Sequence, residues 1–454
     1  MSKICILIIT LTIIAACGYA QTSNKSSRNG SAFKKQNGTL TNTMTFTTKQ
    51  PEIEGWTFSP REALQVHSTY TIKDLYAVNN NTKYIYLHLS EFMPATTVLR
   101  KGAISKLAMS PMPQIAKIRA KTDLGELSLD VYIQKSGLQG IIVLHHGKIV
   151  YERYPRMRDV DKHVYFSLSK TLVATAVALL EDEGKINSQD EIGKYIPELN
   201  KSEWGNVKIL DILNMTTGMT GLQFDDPMAQ TDSNDAYFRF ASNIGTAVKT
   251  ASVKSNIWDI LNKMKKQKEP GIAFEYSSVN TVILSLMVER VSGTRFSEFI
   301  SDRIWGKIGA EADGYIGLSE QGIASTAATM NSTLRDLARY GLLFTPSWNV
   351  VSKEKIISEA YLHKIQKGGA RHSAYDKGVM GQQIISELGE IPDHNSWQWD
   401  GIMQDGDFFK SGTNGQGLYI STSSDLVIAC FSHSNHASKA YLRAIAKSGL
   451  FNKN

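Results

Sequence analysis

The chain has 454 residues, 42% hydrophobic and 20% charged, with a formal net charge of +7. This is ordinary globular composition, which excludes a disordered chain and leaves room for a large core of two or three structural units. Lys and Arg are scattered as on a solvated face, and the one basic run, Lys263-Met264-Lys265-Lys266-Gln267-Lys268, is short, so the charge makes no case for nucleic acid as a partner.

Lys3 precedes an apolar run, Ile4 to Ala16, which suits a signal-peptide core and is too short to span a bilayer. Two cleavage patterns fit. Ile14-Ala15-Ala16-Cys17 resembles a bacterial lipobox, which would leave Cys17 lipidated and the protein attached to a membrane. Gly18-Tyr19-Ala20 instead offers small residues for cleavage before Gln21. Both imply export, either to the periplasm or as a membrane-anchored lipoprotein. Of the three cysteines, Cys5, Cys17 and Cys430, at most two survive processing, so no disulfide framework is expected.

Residues 21–50 are rich in Ser, Thr, Asn, Lys and Gly and read as a flexible tether. Residues 51–120 form an N-terminal segment with no functional assignment. Within it, Lys83 to Leu89 alternates like a half-buried strand. Gly140 to Tyr154 reads as a β-hairpin with a Gly turn. A helix follows from about Ser167 to Glu183, closed by Gly184. Val207–Met215 and Val279–Val291 carry helical spacing, and Asn331-Ser332-Thr333 suits a helix cap. Gly417–Ser421 and Leu426–Ser432 return to strand, and Ser438–Lys447 forms a last helix. Strands, then helices, then strands predict one sheet with a helical insertion at about 171–330.

The chemistry starts from Ser-x-x-Lys. A nucleophilic Ser needs a base, and a Lys three residues on lies on the same helix face. The pattern occurs at Ser31, Ser167 and Ser352. The first lies in the tether, and the third reads as a solvated helix start. Only Ser167-Leu168-Ser169-Lys170 opens an apolar helix, which sets Ser167 at a helix N-terminus and Lys170 against the core. Burial and a second cation would lower the Lys170 pKa toward a useful base.

Tyr165 to Lys170, the stretch Glu181 to Leu199, and Leu210 to Gly218 resemble the superfamily of class C β-lactamases, penicillin-binding proteins, family VIII esterases and 6-aminohexanoate-dimer hydrolases, and the wording is nearest to the last branch. The resemblance covers about residues 121–450, the expected hydrolase domain. It implies an α/β (α+β) fold of the β-lactamase/transpeptidase type: an antiparallel sheet flanked by helices, with an inserted all-helical domain.

It also implies roles. Tyr276, in Pro270 to Ser278, matches the family Tyr that shuttles a proton. Ser278 stands where the family has Asn; it offers one hydroxyl to substrate in place of an amide, which weighs against efficient β-lactam hydrolysis, and a slipped reading would put Asn280 in that role instead. The third motif, Lys-Ser/Thr-Gly, occurs at Lys135, Lys410 and Lys447, and only Lys410-Ser411-Gly412 has the family order and enters a strand. Lys410 would be the second cation and attract a carboxylate, and Gly412 would let backbone approach substrate. The N–H groups of Ser167 and Thr413 would form the oxyanion hole by analogy. The implied activity is hydrolysis of a small ester, amide or peptide through an acyl-enzyme, with no cofactor. A non-hydrolytic binder of penicillin or cell-wall peptide fits the same scaffold.

Other patterns are discounted. Cys430-x-x-His433-x-x-His436 begins on a strand, where residues three apart face opposite sides, so no metal is expected. Ser167 lacks the flanking glycines of a G-x-S-x-G elbow.

Overall fold

The computed structural model describes residues 58–451, except 371, 435, 437 and 438. The expected leader and tether, with Cys17 and the Ser31 pattern, lie outside the described residues.

The main sheet has eight strands, in the order His394–Ser396, Trp399–Ile402, Phe408–Gly412, Gln416–Ser421, Leu426–Ser432, Leu138–His145, Lys148–Arg153 and Ala108–Met109. All neighbours are antiparallel except the last pair. The central strands are apolar on both faces because each face has its own core. Ile142 and Leu144 join one cluster, and Ile141 and Val143 the other. Val427, Ala429 and Phe431 alternate in the same way with Leu426, Ile428 and Cys430. This is the period of two of a strand, here buried on both sides. Each fully buried Leu or Ile contributes about 1.5–3 kcal/mol by leaving water. The helices Leu334–Leu342 and Lys439–Ala446 pack on the sheet. The hairpin turns through His146 and Gly147, with φ of 50° and 70°, the left-handed torsions of a tight type I′ turn.

Between the hairpin and the strand His394–Ser396 the chain is mainly helical. Ser169–Asp182 is buried almost all round and packs against Ser278–Ser292. A smaller sheet lies at the edge of this region, in the order Ala95–Val98, Gly314–Gly317, Met330–Ser332, His163–Val164. The N-terminal segment therefore contributes one strand to each of these two sheets, and Arg119–Thr122 pairs with Gly125–Ser128 in a separate two-stranded sheet.

Two expectations are corrected. Lys83 to Leu89 is not a strand: Asn80–Leu87 is a helix, capped by Asn79, whose Oδ1 accepts from the N–H groups of Asn81 and Thr82 at 2.9 and 3.1 Å. Over so short a run, alternating tyrosines fit either period, and the Asn cap decides. Ser352 does not start a helix either. It is buried in an irregular segment, and the next helix begins at Glu359, capped by Ser358.

Candidate active site

Ser167 sits on a single 3-10 turn, Phe166–Leu168, that runs into the helix Ser169–Asp182. Two backbone anchors fix this turn. Tyr165 N–H donates to the Met330 carbonyl at 2.8 Å, and Met330 N–H donates to Ser169 Oγ at 3.1 Å. One helical turn on, Lys170 is fully buried. Its Nζ has three neighbours: the Ala327 carbonyl at 2.8 Å, Ser278 Oγ at 3.1 Å and Ser167 Oγ at 3.1 Å.

Counting protons orders this group. Ser278 gives its one hydroxyl proton to Gln223 Oε1 at 2.9 Å, so toward Lys170 it accepts. The Ala327 carbonyl can only accept. Two N–H bonds of the amine are thereby used, and its remaining tetrahedral position faces Ser167. Burial pushes the Lys170 pKa well below 10.5, and the nearby Lys410 cation adds to this, with Asp400 opposing. When it is neutral, the amine can present its lone pair to the Ser167 hydroxyl.

Lys410 lies on the strand Phe408–Gly412, in register with Leu418 of the next strand. It is fully buried, donates to Tyr276 Oη at 3.1 Å, and pairs with the Asp400 carboxylate. The other Asp400 oxygen accepts from Ser411 N–H at 2.9 Å and Ser411 Oγ at 2.6 Å. Burial lowers the Lys410 pKa and Asp400 opposes it. Tyr276 is raised well above 10 by burial and by the Asp400 charge, so its phenol keeps its proton. Since Tyr276 accepts from Lys410, that proton is free to face Ser167, the hydroxyl beside it.

Ser167, Tyr276, Ser411, Gly412, Thr413 and Asn414 line a cleft of about 370 Å³, with Phe224, Met380, Glu387 and Lys439 further out. Among the predicted site residues three differ in detail. Ser278 was expected to contact substrate, but its hydroxyl is taken up by Lys170 and Gln223. Lys410 was expected to attract a carboxylate, but its charge is already met by Asp400 in the core. Gly412 does allow a close approach, but to protein: a Cβ there would stand 2.5 Å from the Tyr165 carbonyl.

Sequence reasoning missed Asp400, Gln223 and Ala327. A buried Lys410 demanded an anion. However, Asp400, Asp405 and Asp407 all precede it closely, and nothing in the sequence ranks them.

A model of the family described as Beta-lactamase matches residues 133–449. The 6-aminohexanoate-dimer hydrolase of Paenarthrobacter ureafaciens is 25% identical over 351 residues, which is 77% of this chain and 84% of that protein. Among solved structures, one from Bacillus anthracis provisionally named a 6-aminohexanoate-dimer hydrolase superposes with a TM-score of 0.69 at 22% identity, over 84% of this chain and 95% of that one. EstCE1, described as a hydrolase with promiscuous acyltransferase activity, gives 0.53 at 14% identity, over 70% of this chain and 96% of that one. With the family match running from the last turn before the hairpin to the final helix, the chain belongs to the beta-lactamase family.

Proposed function

We propose that the protein is an exported serine hydrolase that cleaves an ester or amide through an acyl-enzyme on Ser167. One observation carries the reading. Lys170 is buried beside a second lysine, with two N–H bonds spoken for and its third position 3.1 Å from Ser167 Oγ.

Ser167 Oγ attacks the substrate carbonyl carbon, and its proton passes to the Lys170 lone pair. The carbonyl π electrons move to oxygen, which the N–H groups of Ser167 and Thr413 stabilise. When the tetrahedral adduct collapses, the bond to the leaving alcohol or amine breaks. The departing atom takes the Tyr276 proton, and Tyr276 is reprotonated from Lys170. A water then attacks the acyl group by the same route in reverse and restores Ser167. Ser411 and Gly412 flank the substrate along the cleft. The lack of an amide side chain at position 278 and the likeness to a 6-aminohexanoate-dimer hydrolase favour esters and amides over β-lactams. The relative from Paenarthrobacter ureafaciens is itself named as a hydrolase of the 6-aminohexanoate dimer.

The test is intact-mass spectrometry of the mature protein after mixing with p-nitrophenyl butyrate and, separately, with a penicillin. Turnover of the ester that vanishes in Ser167→Ala supports the hydrolase. A persistent penicillin adduct without turnover transfers the case to a penicillin- or cell-wall-peptide-binding role. Equal activity in wild type and Ser167→Ala sinks the nucleophile. The leader motivates the export half of the reading, and the same instrument reads it: a mature chain that begins at a diacylglyceryl-modified Cys17 supports the lipoprotein form, and one that begins at Gln21 the soluble periplasmic form.

A further inference from the structure

Two non-glycine residues at the site hold left-handed torsions, Phe166 with φ 47° and Asn414 with φ 60°. Such torsions are outliers for a bulky residue and tolerated by Asn. Each adjoins one of the two proposed oxyanion donors. The Ser167 N–H belongs to the peptide plane that Phe166 begins, so its aim follows the Phe166 torsions. Thr413 is held between Gly412, wedged against the Tyr165 carbonyl, and Asn414.

Both strained residues touch the same foreign segment. The Tyr86 ring meets the Phe166 ring edge-on at 5.0 Å, and the Tyr76 ring lies at 5.9 Å. The Tyr86 hydroxyl gives its proton to the Leu75 carbonyl at 3.0 Å, so it accepts from Asn414 Nδ2. The same amide also faces the carbonyls of Ala77 at 3.3 Å and Tyr76 at 3.5 Å. Tyr86 is fully buried, and Asn414 is nearly so. These residues come from the short capped helix Asn80–Leu87 and the turn before it, outside the stretch 133–449 that the family matches.

We propose that residues 75–86 are a clamp that sets the oxyanion hole, with Tyr86 as its positioning residue, bridging the chain before Ser167 to the chain after Thr413. The inference rests on the acyl-enzyme reading above. A hole built from two chain segments far apart in sequence needs a common strut, because an N–H a fraction of an ångström out of place loses most of its value in the transition state.

The test is Tyr86→Phe, which keeps the ring on Phe166 and removes only the hydroxyl. With p-nitrophenyl butyrate, kcat is expected to fall about tenfold, with KM within about twofold. Affinity for butylboronic acid, which forms a tetrahedral adduct with a nucleophilic serine, is expected to fall by the same factor as kcat/KM. Asn414→Gly permits the left-handed torsion and removes the amide. It should show the same loss, and the double variant no further loss. A lowered Tm with unchanged kcat per folded enzyme and unchanged boronate affinity would overturn the clamp. If Tyr86→Phe does not fold, Asn414→Gly carries the same readouts alone, and unchanged values there overturn it equally. Ser167→Ala in the same assay separates the two readings. Turnover surviving in Ser167→Ala refutes the hydrolase itself. Turnover abolished there but intact in Tyr86→Phe and Asn414→Gly refutes only the clamp.

Discussion

Lys170 Nζ and Ser278 Oγ stand 3.1 Å apart, and the Ser278 proton is committed to Gln223. Ser278 is therefore an orienting acceptor for the lysine. Ser278→Ala should remove one of the two contacts that aim the amine and leave Gln223 Oε1 without its donor. The expected result is a fall of about tenfold in kcat, with KM little changed. Steady-state kinetics on a chromogenic ester checks it. A rise in KM at constant kcat would return Ser278 to substrate contact.

Lys170→Met should keep the length of the side chain and lose the base. The expected loss in kcat/KM is about 10²–10⁴-fold, the usual worth of general-base help. Lys170→Arg should be as inactive, because a guanidinium stays protonated. Both variants leave Ser278 Oγ and the Ala327 carbonyl short of a donor or crowded, at a cost of about 1–3 kcal/mol per unsatisfied group. Thermal unfolding separates that cost from the kinetic loss.

The acid limb of kcat/KM should belong to Lys170. The amine works only when neutral, so activity should rise with pH through a midpoint well below 10.5. The same shift has a stability consequence. A lysine whose folded pKa is depressed binds fewer protons folded than unfolded, so stability should increase with pH between the lowered value and about 10.5. Lys410 is lowered too and acts in the same sense. Denaturant titrations at several pH values below 10, where the tyrosines still hold their protons, should show this slope, and Lys170→Met should flatten it.

Much of this site was legible because its residues come in short words. Ser167-Leu168-Ser169-Lys170 and Lys410-Ser411-Gly412 each place two chemical groups at fixed spacing, and an apolar helix or strand around them fixes which face is buried. What was not legible depends on long-range closure. Gln223 reaches Ser278 because its own N–H is tied to the Tyr276 carbonyl, and Ala327 offers a carbonyl with no side-chain signature at all. The helix Asn80–Leu87 differs from the expected strand for a local reason: eight residues are too few to separate periods of 2 and 3.6 when the four in a row from Tyr84 to Leu87 are all buried.

Gly412 gives the simplest steric prediction. Its missing Cβ would meet the Tyr165 carbonyl at 2.5 Å, and that carbonyl belongs to backbone anchored on the smaller sheet. Gly412→Ala should force the strand end away from the nucleophile turn. Overpacking of this kind costs about 1–3 kcal/mol. Activity should fall by more than the unfolded fraction accounts for, which a comparison of Tm with active-site titration would show.

The Lys410–Asp400 pair separates electrostatics from packing. Asp400→Asn leaves a buried ammonium without its counter-ion and takes an acceptor from Ser411, and removing one partner of a buried pair costs about 3–5 kcal/mol. Replacing both, as Lys410→Met with Asp400→Asn, should recover much of that loss, because neither charge then needs solvation. The kinetic outcome is distinct. Lys410 depresses Lys170 more than Asp400 raises it, so the double variant should move the acid limb of kcat/KM to higher pH. Urea unfolding and a pH–rate profile on the single and double variants measure both effects. A double variant with restored stability and an unmoved acid limb would mean that burial alone, and not the second cation, keeps Lys170 neutral.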